Sequence, residues 1–451
     1  MAATAMLATT SWAGGLMTNT NYHIAFDRMM ARGASFDIDA AFSNPAGLAL
    51  GHEGWQLSLN FQKPWQDRDI QWTADNYLAY PALGYAGVNI DQKFPGKASA
   101  PIVPALFASY KQNNWAVSAM IGIVGSGGFV KYDDGIPMFN ALVMAKLFSA
   151  GLTPEKYGID SEMKGKQYIY GGQINFTYKL IDCLSAAVGI RANYYDGYYR
   201  GHVKAIDHPQ LGEVAKLLLD VDQKGWGFTP LVSVNYHQGP LTLTARYEFR
   251  TKVNPKNDTN ILDAGLGSAT VAALMAADPQ GAQAKLAGLQ QQLGAYTAPY
   301  QDGARTRYDM PALLSVAAGY EFTPKLRATL EYHFFDDKNA KMANDRQEEL
   351  THGTHEILAG VEYDINDKFT VSCGGQRTDY GLSDGYQQNT SFACDSYSVG
   401  LGGAWNINEK VRLNAGFFTS IYSDYDKQAS YGLETYSRTN YVVGLGIDYK
   451  F

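Results

Sequence analysis

The carboxyl-terminal stretch, Thr439-Asn-Tyr-Val-Val-Gly-Leu-Gly-Ile-Asp-Tyr-Lys-Phe451, alternates between two kinds of residue. Apolar or aromatic residues occupy every second position from Tyr441 to Phe451, and most residues between them are small or polar. A period of two is typical of a β-strand with one apolar face and one polar face. If the apolar face contacts lipid, the chain must contain many similar strands, because an open sheet edge cannot survive in hydrocarbon.

The composition favours a membrane-spanning barrel over a set of soluble domains. Charged residues make up 18% of the 451 residues, with 31 tyrosines and 46 glycines, whereas soluble domains contain roughly 25% charged residues. There is no apolar run long enough for a transmembrane helix, which needs about 20 residues. The net charge is −7 and the sequence has no basic stripe, so nucleic acid is not an expected partner.

Short turns and long connections alternate along the chain. Strand-like alternation recurs at 55–62, 241–250 and 326–334. The short turns are predicted at 111–114, 180–183, 236–239, 322–325, 365–368 and 407–410. The long connections are predicted at roughly 63–95, 128–166, 201–222, 253–305, 337–351, 381–392 and 423–437. A β-sandwich would turn every 8–12 residues or so and needs no long loops on one side. The pattern predicts an all-β fold: a transmembrane antiparallel β-barrel of about 14 strands with both ends on the periplasmic side.

The first fifty residues differ from the remainder. Residues 1–13 resemble the remnant of a signal peptide, although the basic n-region is missing and an ordinary flexible terminus remains the alternative. Residues 14–50 show no strand alternation and contain the turn signal Asn44-Pro-Ala-Gly47. Such a segment either hangs in the periplasm or folds back into the lumen as a plug. The predicted domains are therefore 1–13, an N-terminal hatch at 14–50, and a barrel at 51–451.

Three stretches of the long connections have helical spacing: 136–148, 261–275 and 282–293. Their apolar faces either pack on each other as a lid or form a landing site for an apolar ligand. The candidate hydrophobic-capture residues on these stretches are Phe139, Leu142, Leu147, Phe148, Leu262, Leu266, Leu274 and Met275.

The second predicted strand and its partner contain residues that interrupt pairing. Pro101 and Pro104 donate no ladder hydrogen bond, and Gly122 and Gly125 lie on the next strand. These four residues are candidates for a lateral opening in the wall, with ordinary bulging at the barrel rim as the alternative.

Charged, nucleophilic and thiol residues offer few catalytic patterns. Arg191, Arg246 and Arg327 fall on polar strand faces, where they could bind a ligand carboxylate or, as we expect more often, pair with acids such as Glu248, Glu331 or Glu362.

Gly381-Leu-Ser-Asp-Gly385 fits a hydrolase motif but lies in a predicted hairpin, so no catalytic residue is expected. His352 and His355 should face opposite ways on a strand, and no metal or cofactor is implied. Cys373 and Cys394 lie equidistant from 383–384, so either a disulfide or free thiols fit.

Several segments resemble the FadL/TodX-type outer-membrane transporters. The segment 14–49, with Arg32-Gly-Ala-Ser35 and Asn44-Pro-Ala-Gly47, resembles the hatch of that family, and 309–325, 382–386 and 396–402 are similar to its later strands and turns. The resemblance implies a fourteen-stranded barrel in the bacterial outer membrane, plugged by its N-terminus. It identifies the candidate hatch residues as Arg32, Phe42, Asn44, Pro45, Ala46 and Gly47. It also implies capture of a hydrophobic compound by loop helices, binding in the lumen, hatch movement and lateral release.

Three functions remain to be separated: a transporter of hydrophobic compounds, a general porin, and an outer-membrane hydrolase. A porin would lack a plug and show polar constriction charges, and a hydrolase needs a Ser/His or acid dyad within reach. The expected partners of the transporter are a fatty-acid-like or detergent-like ligand, outer-membrane lipid, and the barrel assembly machinery through Phe451. A monomer is the expected state, and the sequence does not identify the ligand.

Overall fold

The computed structural model describes residues 22–100, 102–279, 281–284, 286–288 and 297–451. The strands within these residues are β1 Gly54–Tyr77, β2 Val88–Phe94, β3 Gly96–Ser99, β4 Val103–Gln112, β5 Trp115–Tyr132, β6 Gly158–Ile181, β7 Leu184–Ile206, β8 Ala215–Gln238, β9 Leu241–Glu248, β10 Lys256–Leu266, β11 Leu313–Thr323, β12 Leu326–Phe335, β13 Thr354–Asp364, β14 Phe369–Asp379, β15 Ser396–Asn406, β16 Val411–Tyr422, β17 Tyr425–Ala429 and β18 Gly432–Lys450. The α-helices are α1 Ile24–Met29, α2 Ala40–Ser43, α3 Pro137–Ser149 and α4 Ser268–Ala277. Short 3-10 helices lie at Pro45–Leu50, Pro81–Leu83, Pro154–Lys156, Ala298–Tyr300, Asp337–Asn339 and Ala343–Glu349.

All the strands form one closed antiparallel sheet. Strands that are adjacent in the wall pair antiparallel, and β1 pairs with β18 from Gln56↔Lys450 to Thr73↔Leu433, which closes the ring. Three wall positions are built from consecutive segments: β2–β4 all pair with β1, β9 and β10 pair with β8, and β16 and β17 pair with β18. Counted this way, the described residues form the predicted fourteen-strand barrel, and the six predicted tight turns all connect neighbouring strands.

The two faces of the wall differ as the alternation predicts. Apolar side chains point outward on nearly every strand; Ile121, Ile421 and Leu445 are 63%, 64% and 63% exposed. Polar residues that alternate with them, such as Ser58 and Asn60, are buried in the lumen. An apolar belt of this extent needs lipid around it, because the exposure of so much apolar surface to water is unfavourable. The barrel is therefore a membrane-spanning one. No described helix is both long and apolar enough to cross a membrane.

Three of the predicted irregular connections consist largely of strand, and a fourth, 128–166, contains strand at both of its ends. The regions 63–95, 128–166, 201–222 and 423–437 contain extensions of β1, β2, β5–β8, β17 and β18. In these extensions the polarity of the two faces reverses. Along β1, Ile70 and Trp72 are buried inside, whereas Asp67 is exposed outside. The reversal follows from the surroundings, because the outer face passes from lipid into water while the inner face packs on a core.

The predicted helices are confirmed in part. The helix expected at 136–148 is α3, but Ile261–Leu266 belongs to β10 and only Ser268–Ala277 of the second stretch is helical. Leu262 and Leu266 therefore lie on a strand, because β10 continues the ladder of β8, where Leu262 pairs with Leu219. Of the third stretch, 282–284 and 286–288 are helical, and the other residues lie outside the described ones.

The N-terminal segment, residues 22–50, lies in the lumen. It is almost entirely buried, and α1 packs against β13–β16 and β18 while the 3-10 helix Pro45–Leu50 packs against β5–β8. Both sides of this segment therefore contact the inner wall. The predicted signal-peptide remnant at 1–13 and the first part of the predicted hatch, 14–21, lie outside the described residues.

The cysteines do not form the disulfide that sequence symmetry allowed. Cys183, Cys373 and Cys394 are free thiols. Cys373 pairs with Leu401 in the ladder and faces outward, whereas Cys394 is fully buried in the irregular connection before β15. The hairpin is asymmetric, because residues 380–395 form a compact loop and do not continue the ladder.

Candidate functional site

The Asn44-Pro-Ala-Gly47 corner is fixed to the wall through its backbone. The hydroxyl of Thr177 donates to the Pro45 carbonyl at 2.8 Å. The hydroxyl of Ser185 donates to the Ala46 carbonyl at 2.7 Å, and the Ala46 N–H donates to Ser233 at 3.0 Å. Two amides from β6 donate to the Ala41 carbonyl just before the corner. The wall thus satisfies backbone groups that the irregular corner leaves unpaired.

The side chains of the candidate hatch residues have different environments. Both amide atoms of Asn44 are buried without a hydrogen-bond partner. Phe42 packs edge-on against Tyr22 and lies beneath Arg191 and Arg246. Gly47 touches the Ser35 carbonyl so closely that a Cβ would overlap it, which explains the need for glycine at this position.

Ion pairs and hydrogen bonds of Arg28 and Arg32 connect the N-terminal segment to the wall and stabilise it internally. The Arg32 guanidinium binds Asp39 at 2.6 Å within the segment, and its backbone N–H donates to Glu331 of β12 at 2.9 Å. The guanidinium of Arg28, which sequence reasoning did not identify, binds Glu362 and donates to Ser372 at 2.8 Å. Removal of one partner of a buried ion pair destabilises the fold, because the other charge is left buried and unpaired.

The three predicted lumen arginines all have carboxylate partners. Arg191 and Arg246 both bind Glu248, with a 3.1 Å contact for Arg246, which also donates to the Phe42 carbonyl. Arg327 binds Glu362 and Asp364. These arginines pair with inward acids, as the sequence favoured, and Arg246 also connects the wall to the N-terminal segment.

A small cavity lies between the N-terminal segment and the wall. On one side it is lined by Tyr22, Phe26, Met30 and Phe42 of the segment; on the other side the lining includes Arg246, Glu248, Glu331, His333, Glu356 and Val124. His333 connects two carboxylates here, at 2.7 Å from Glu331 and 2.9 Å from Glu356. Val124 belongs to β5, so this cavity extends to the part of the wall that contains Gly122 and Gly125.

The wall is interrupted at that part of β5. The β4–β5 ladder ends at Leu106↔Ile121, and the β3–β5 ladder begins again at Ala98↔Val130. Among the described residues, 99–105 and 122–129 form no ladder with each other. Two bulges mark the other edge of β5, and Gly128 has a positive φ of 72° there. The interruption contains the candidates Pro104, Gly122 and Gly125, whereas Pro101 lies outside the described residues.

A cavity of about 360 Å³ opens at the end of the barrel that carries the long connections, here called the loop end. It lies between α3, α4 and the outer parts of β8 and β10, and its lining includes Leu142, Leu147, Leu266 and Leu274. A smaller cavity beside it is lined by Phe139, Leu262 and Tyr300, and Leu142 and Leu217 line both. Six of the eight candidate capture residues therefore lie on two adjoining apolar cavities.

The other two capture candidates lie elsewhere. Phe148 packs its ring on Tyr85 at 5.2 Å, and Met275 lines neither of the two cavities within the described residues. Sequence reasoning missed Leu217 and Lys216 of the lining, because they belong to a region expected to be a loop. Lys216 forms a 2.5 Å ion pair with Asp263.

The residues considered for catalysis or metal binding have structural partners. Ser383 lies in an irregular loop and donates to the Glu349 carbonyl at 2.5 Å. The rings of His352 and His355 are only 5.1 Å apart, contrary to expectation, because β13 starts at Thr354 and His352 precedes it. No group of three or more metal-ligating side chains occurs in the part of the chain that is described.

One Ser–His–Asp cluster is present, but its polarity does not suit a nucleophile. Nδ1 of His23 accepts the Ala25 N–H at 3.1 Å, so the proton of a neutral ring is on Nε2, which donates to Asp448 at 3.0 Å. Ser58 donates its own proton to the same Asp448 oxygen at 2.6 Å. The histidine therefore has no lone pair directed at the serine, and the cluster caps α1.

The fold is that of a closed fourteen-strand barrel, and solved structures share the fold. One is a FadL homologue from Pseudomonas aeruginosa, with 15% identity and a TM-score of 0.68, covering 97% of this chain and 100% of that chain. Another is the Pseudomonas putida toluene transporter TodX, with 11% identity and a TM-score of 0.59, covering 97% and 100%. A third is the CymD monoaromatic hydrocarbon channel, with 10% identity and a TM-score of 0.54, covering 98% of each chain. No family profile and no curated protein sequence matches the chain.

Proposed function

We propose that this chain is an outer-membrane transporter of the FadL/TodX type, which takes up hydrophobic small molecules and has no catalytic step. The observation that carries the proposal is the wall interruption between 99–105 and 122–129, next to the cavity that contacts the N-terminal segment. A general porin needs no opening in its wall and no filled lumen. The fold shared with transporters of hydrophobic compounds supports the same proposal.

The proposed route begins at the two apolar cavities of the loop end. An aliphatic ligand gains about 0.8 kcal/mol for each CH₂ that leaves water, so these cavities can capture it without a reaction. Residues 22–50 act as the hatch, whose movement would open the lumen toward β5. Release between β4 and β5 would then place the ligand in lipid and keep its tail away from periplasmic water.

Two further partners belong to this proposal. Lipid of the bacterial outer membrane surrounds the belt of outward apolar residues. The exposed carboxyl-terminal Phe451, whose N–H donates to the Trp55 carbonyl at 3.0 Å, is the proposed signal for the barrel assembly machinery. We propose a monomer, in which the barrel is complete without a second chain.

A disulfide across the interruption tests lateral release. A Cβ built on Gly122 would lie 3.4 Å from the Cβ of Ala105, close to the separation of roughly 3.8 Å found in disulfides. We expect Ala105→Cys/Gly122→Cys, in a background with the three native cysteines replaced by alanine, to lose most uptake of a radiolabelled long-chain fatty acid or of toluene. Reduction should restore uptake in the same cells.

The matched control is Ser109→Cys/Ser118→Cys, a pair of inward residues that face each other in the intact part of the same ladder. This disulfide should leave uptake unchanged. Equal uptake by the oxidised and reduced Ala105/Gly122 variant would contradict lateral release. An absence of uptake of either compound by the cysteine-free parent, when its barrel is correctly assembled, would contradict the proposed function itself.

A further inference from the structure

Three cations form a row across the outer surface of the wall near the loop end. Lys256 of β10 pairs with Lys224 of β8 on one side and with Arg305 on the other, and all three are exposed. The adjacent pair is buried inside, where the Gln223 amide donates to the side-chain oxygen of Asn257 at 2.9 Å. Because successive residues of a strand point to opposite faces, Lys224 and Lys256 project outward. Like charges that are directly opposed destabilise a sheet, so this row requires an explanation.

No acid compensates the row among the described residues. None of the three cations has a carboxylate oxygen within the 4.0 Å that defines an ion pair. Arg305 donates to a backbone carbonyl, that of Asn254, at 3.2 Å. Other cations on the outer face of the neighbouring strands each bind an acid beside them: Lys131, Lys164, Lys166 and Arg200. The row therefore differs from the adjoining surface in its charge balance.

Further cations adjoin the row. Lys252 is exposed and likewise has no carboxylate within 4.0 Å in the described part of the chain. Arg250 and Arg307 share the single carboxylate of Asp309. These residues together form a surface that we call the cation patch: Lys224, Arg250, Lys252, Lys256, Arg305 and Arg307.

The acids next to the cation patch offset only part of its charge. Asp196 lies opposite Lys224 in the ladder but binds Lys166. Asp222 binds Arg200. Asp258 and Asp302 are exposed at the edge nearer to the loop tips. The patch therefore keeps an excess of positive charge, although the chain as a whole has a net charge of −7.

The cation patch lies at the edge of the lipid-facing belt. On β8, Trp226 and Phe228 are exposed on the outer face, and Lys224 is two residues, about 7 Å, further toward the loop end. Phe249 is also exposed and directly precedes Arg250. Outward aromatic residues mark the membrane interface of a transmembrane barrel. With the loop end facing outward, the cations are thus at the level of the lipid head groups of the outer leaflet.

We propose that the cation patch binds the phosphate groups of a phosphorylated glycolipid of the outer leaflet. Charge-assisted hydrogen bonds from lysine and arginine to phosphate are strong, and a phosphate between Lys224, Lys256 and Arg305 would offset their mutual repulsion. The acyl chains of the same lipid would lie on the apolar belt at Trp226 and Phe228. The inference requires a barrel in the outer membrane with its loop end outward, and it is independent of what the barrel transports.

The test compares lipid A that carries two phosphates with dephosphorylated lipid A of the same acyl chains. Binding is measured by native mass spectrometry on the full chain in detergent micelles. We expect Lys224→Gln/Lys256→Gln/Arg305→Gln to weaken binding of the phosphorylated lipid by about 100-fold, because each cation near a surface contributes roughly a fivefold gain for an anionic lipid. Binding of the dephosphorylated lipid should change by less than about twofold, because it depends on apolar contact.

The matched control is Lys131→Gln/Lys164→Gln/Lys166→Gln, which removes the same number of charges from the same outer face. These lysines already bind acids, so lipid binding should change by less than about threefold. Lys224→Arg/Lys256→Arg keeps the charge and should retain binding of the phosphorylated lipid. Without lipid, the triple glutamine variant of the patch should unfold at the same or a higher temperature, since like charges are removed.

Several results would overturn the inference. One is an equal loss of binding in the control variant, because net charge and not the cation patch would then attract the lipid. Another is equal binding of the two lipids by the parent. Displacement of the lipid by micromolar inorganic phosphate would show that the free ion, and not a head group, is the ligand. None of these measurements follows uptake, so each of these results would leave the transporter proposal standing.

Discussion

Three arginines inside the barrel, Arg28, Arg191 and Arg327, each form an ion pair with a glutamate of the wall. The alternation placed Arg191, Arg246 and Arg327 on the inner face, and their pairing with Glu248 and Glu362 followed from the same alternation. Arg28 could not be identified in this way, because it lies on a short helix whose facing strand depends on how the N-terminal segment folds. The ladder pairing of Arg68 with Arg438 could not be predicted either, because it depends on the register between the first and last strands.

Asp337 gives a residue-level prediction outside the membrane. It lies in the connection after β12, and burial raises the pKa of its carboxyl from 3.8 to about 6, although the Thr354 N–H donates to it at 3.0 Å. A carboxyl with a raised folded-state pKa stabilises the fold while it is protonated. That contribution is lost as pH rises between about 4 and about 6.

We therefore expect Asp337→Asn to raise the thermal unfolding temperature at pH 8 and to have little effect at pH 4. The charged carboxyl costs on the order of 2–3 kcal/mol at pH 8, and the asparagine oxygen can still accept the Thr354 N–H. Asp258→Asn, at an exposed position, should change the unfolding temperature equally little at both pH values. The same increase for Asp337→Asn at pH 4 and at pH 8 would contradict the assignment.

Among the secondary-structure elements, the contact between α1 and the wall depends on glycine. Four neighbouring strands of the wall, β13 to β16, each carry a glycine that faces α1: Gly360, Gly374, Gly400 and Gly416. A Cβ on any of these glycines would approach α1 or the residue after it. At Gly374 it would overlap the carbonyl oxygen of Met29. These glycines let the helix backbone approach the wall as closely as it does.

We expect Gly374→Ala to loosen α1 without disrupting the barrel. Overpacking of this kind costs about 1–3 kcal/mol, so hydrogen exchange at residues 24–29 should become faster. Gly375→Ala is the matched control on the same strand, because its Cβ would meet only the Ser398 carbonyl at 3.5 Å. Unchanged exchange in Gly374→Ala would show that α1 does not depend on this contact.

Sequence alternation predicts the strands only where their outer face contacts lipid. Strands such as β1 were recognised where lipid lies outside, because Leu57, Leu59 and Phe61 face it. From residue 63 onward the sequence predicts a loop, because the apolar face of the strand turns inward there and no single alternation describes the whole strand. The helix expected at 261–275 was wrong for 261–266, which belong to β10. A short apolar run such as this one fits a strand and a helix equally well.

At the scale of the whole molecule, the N-terminal segment is packed inside the barrel. The porin alternative predicted an empty lumen, whereas residues 22–50 are packed within it. We expect deletion of residues 22–50 to convert the protein into a pore with large, steady single-channel conductance in planar bilayers. The full-length chain should conduct little. Heat-modifiable migration on gels would establish that the deleted form is still a barrel, and equally low conductance of that barrel would contradict the assignment of this segment as the hatch.

The pairing of β1 with β18 has a consequence for biogenesis. The longest ladder of β1 is formed with β18, which is synthesised hundreds of residues later. Until β18 has been synthesised, the backbone hydrogen-bonding groups at this edge of β1 have no partner strand. Contacts so distant in sequence form slowly. During export the nascent polypeptide must therefore be kept from premature collapse, and a defect in the seam should appear as a loss of assembled protein before it appears as a loss of activity.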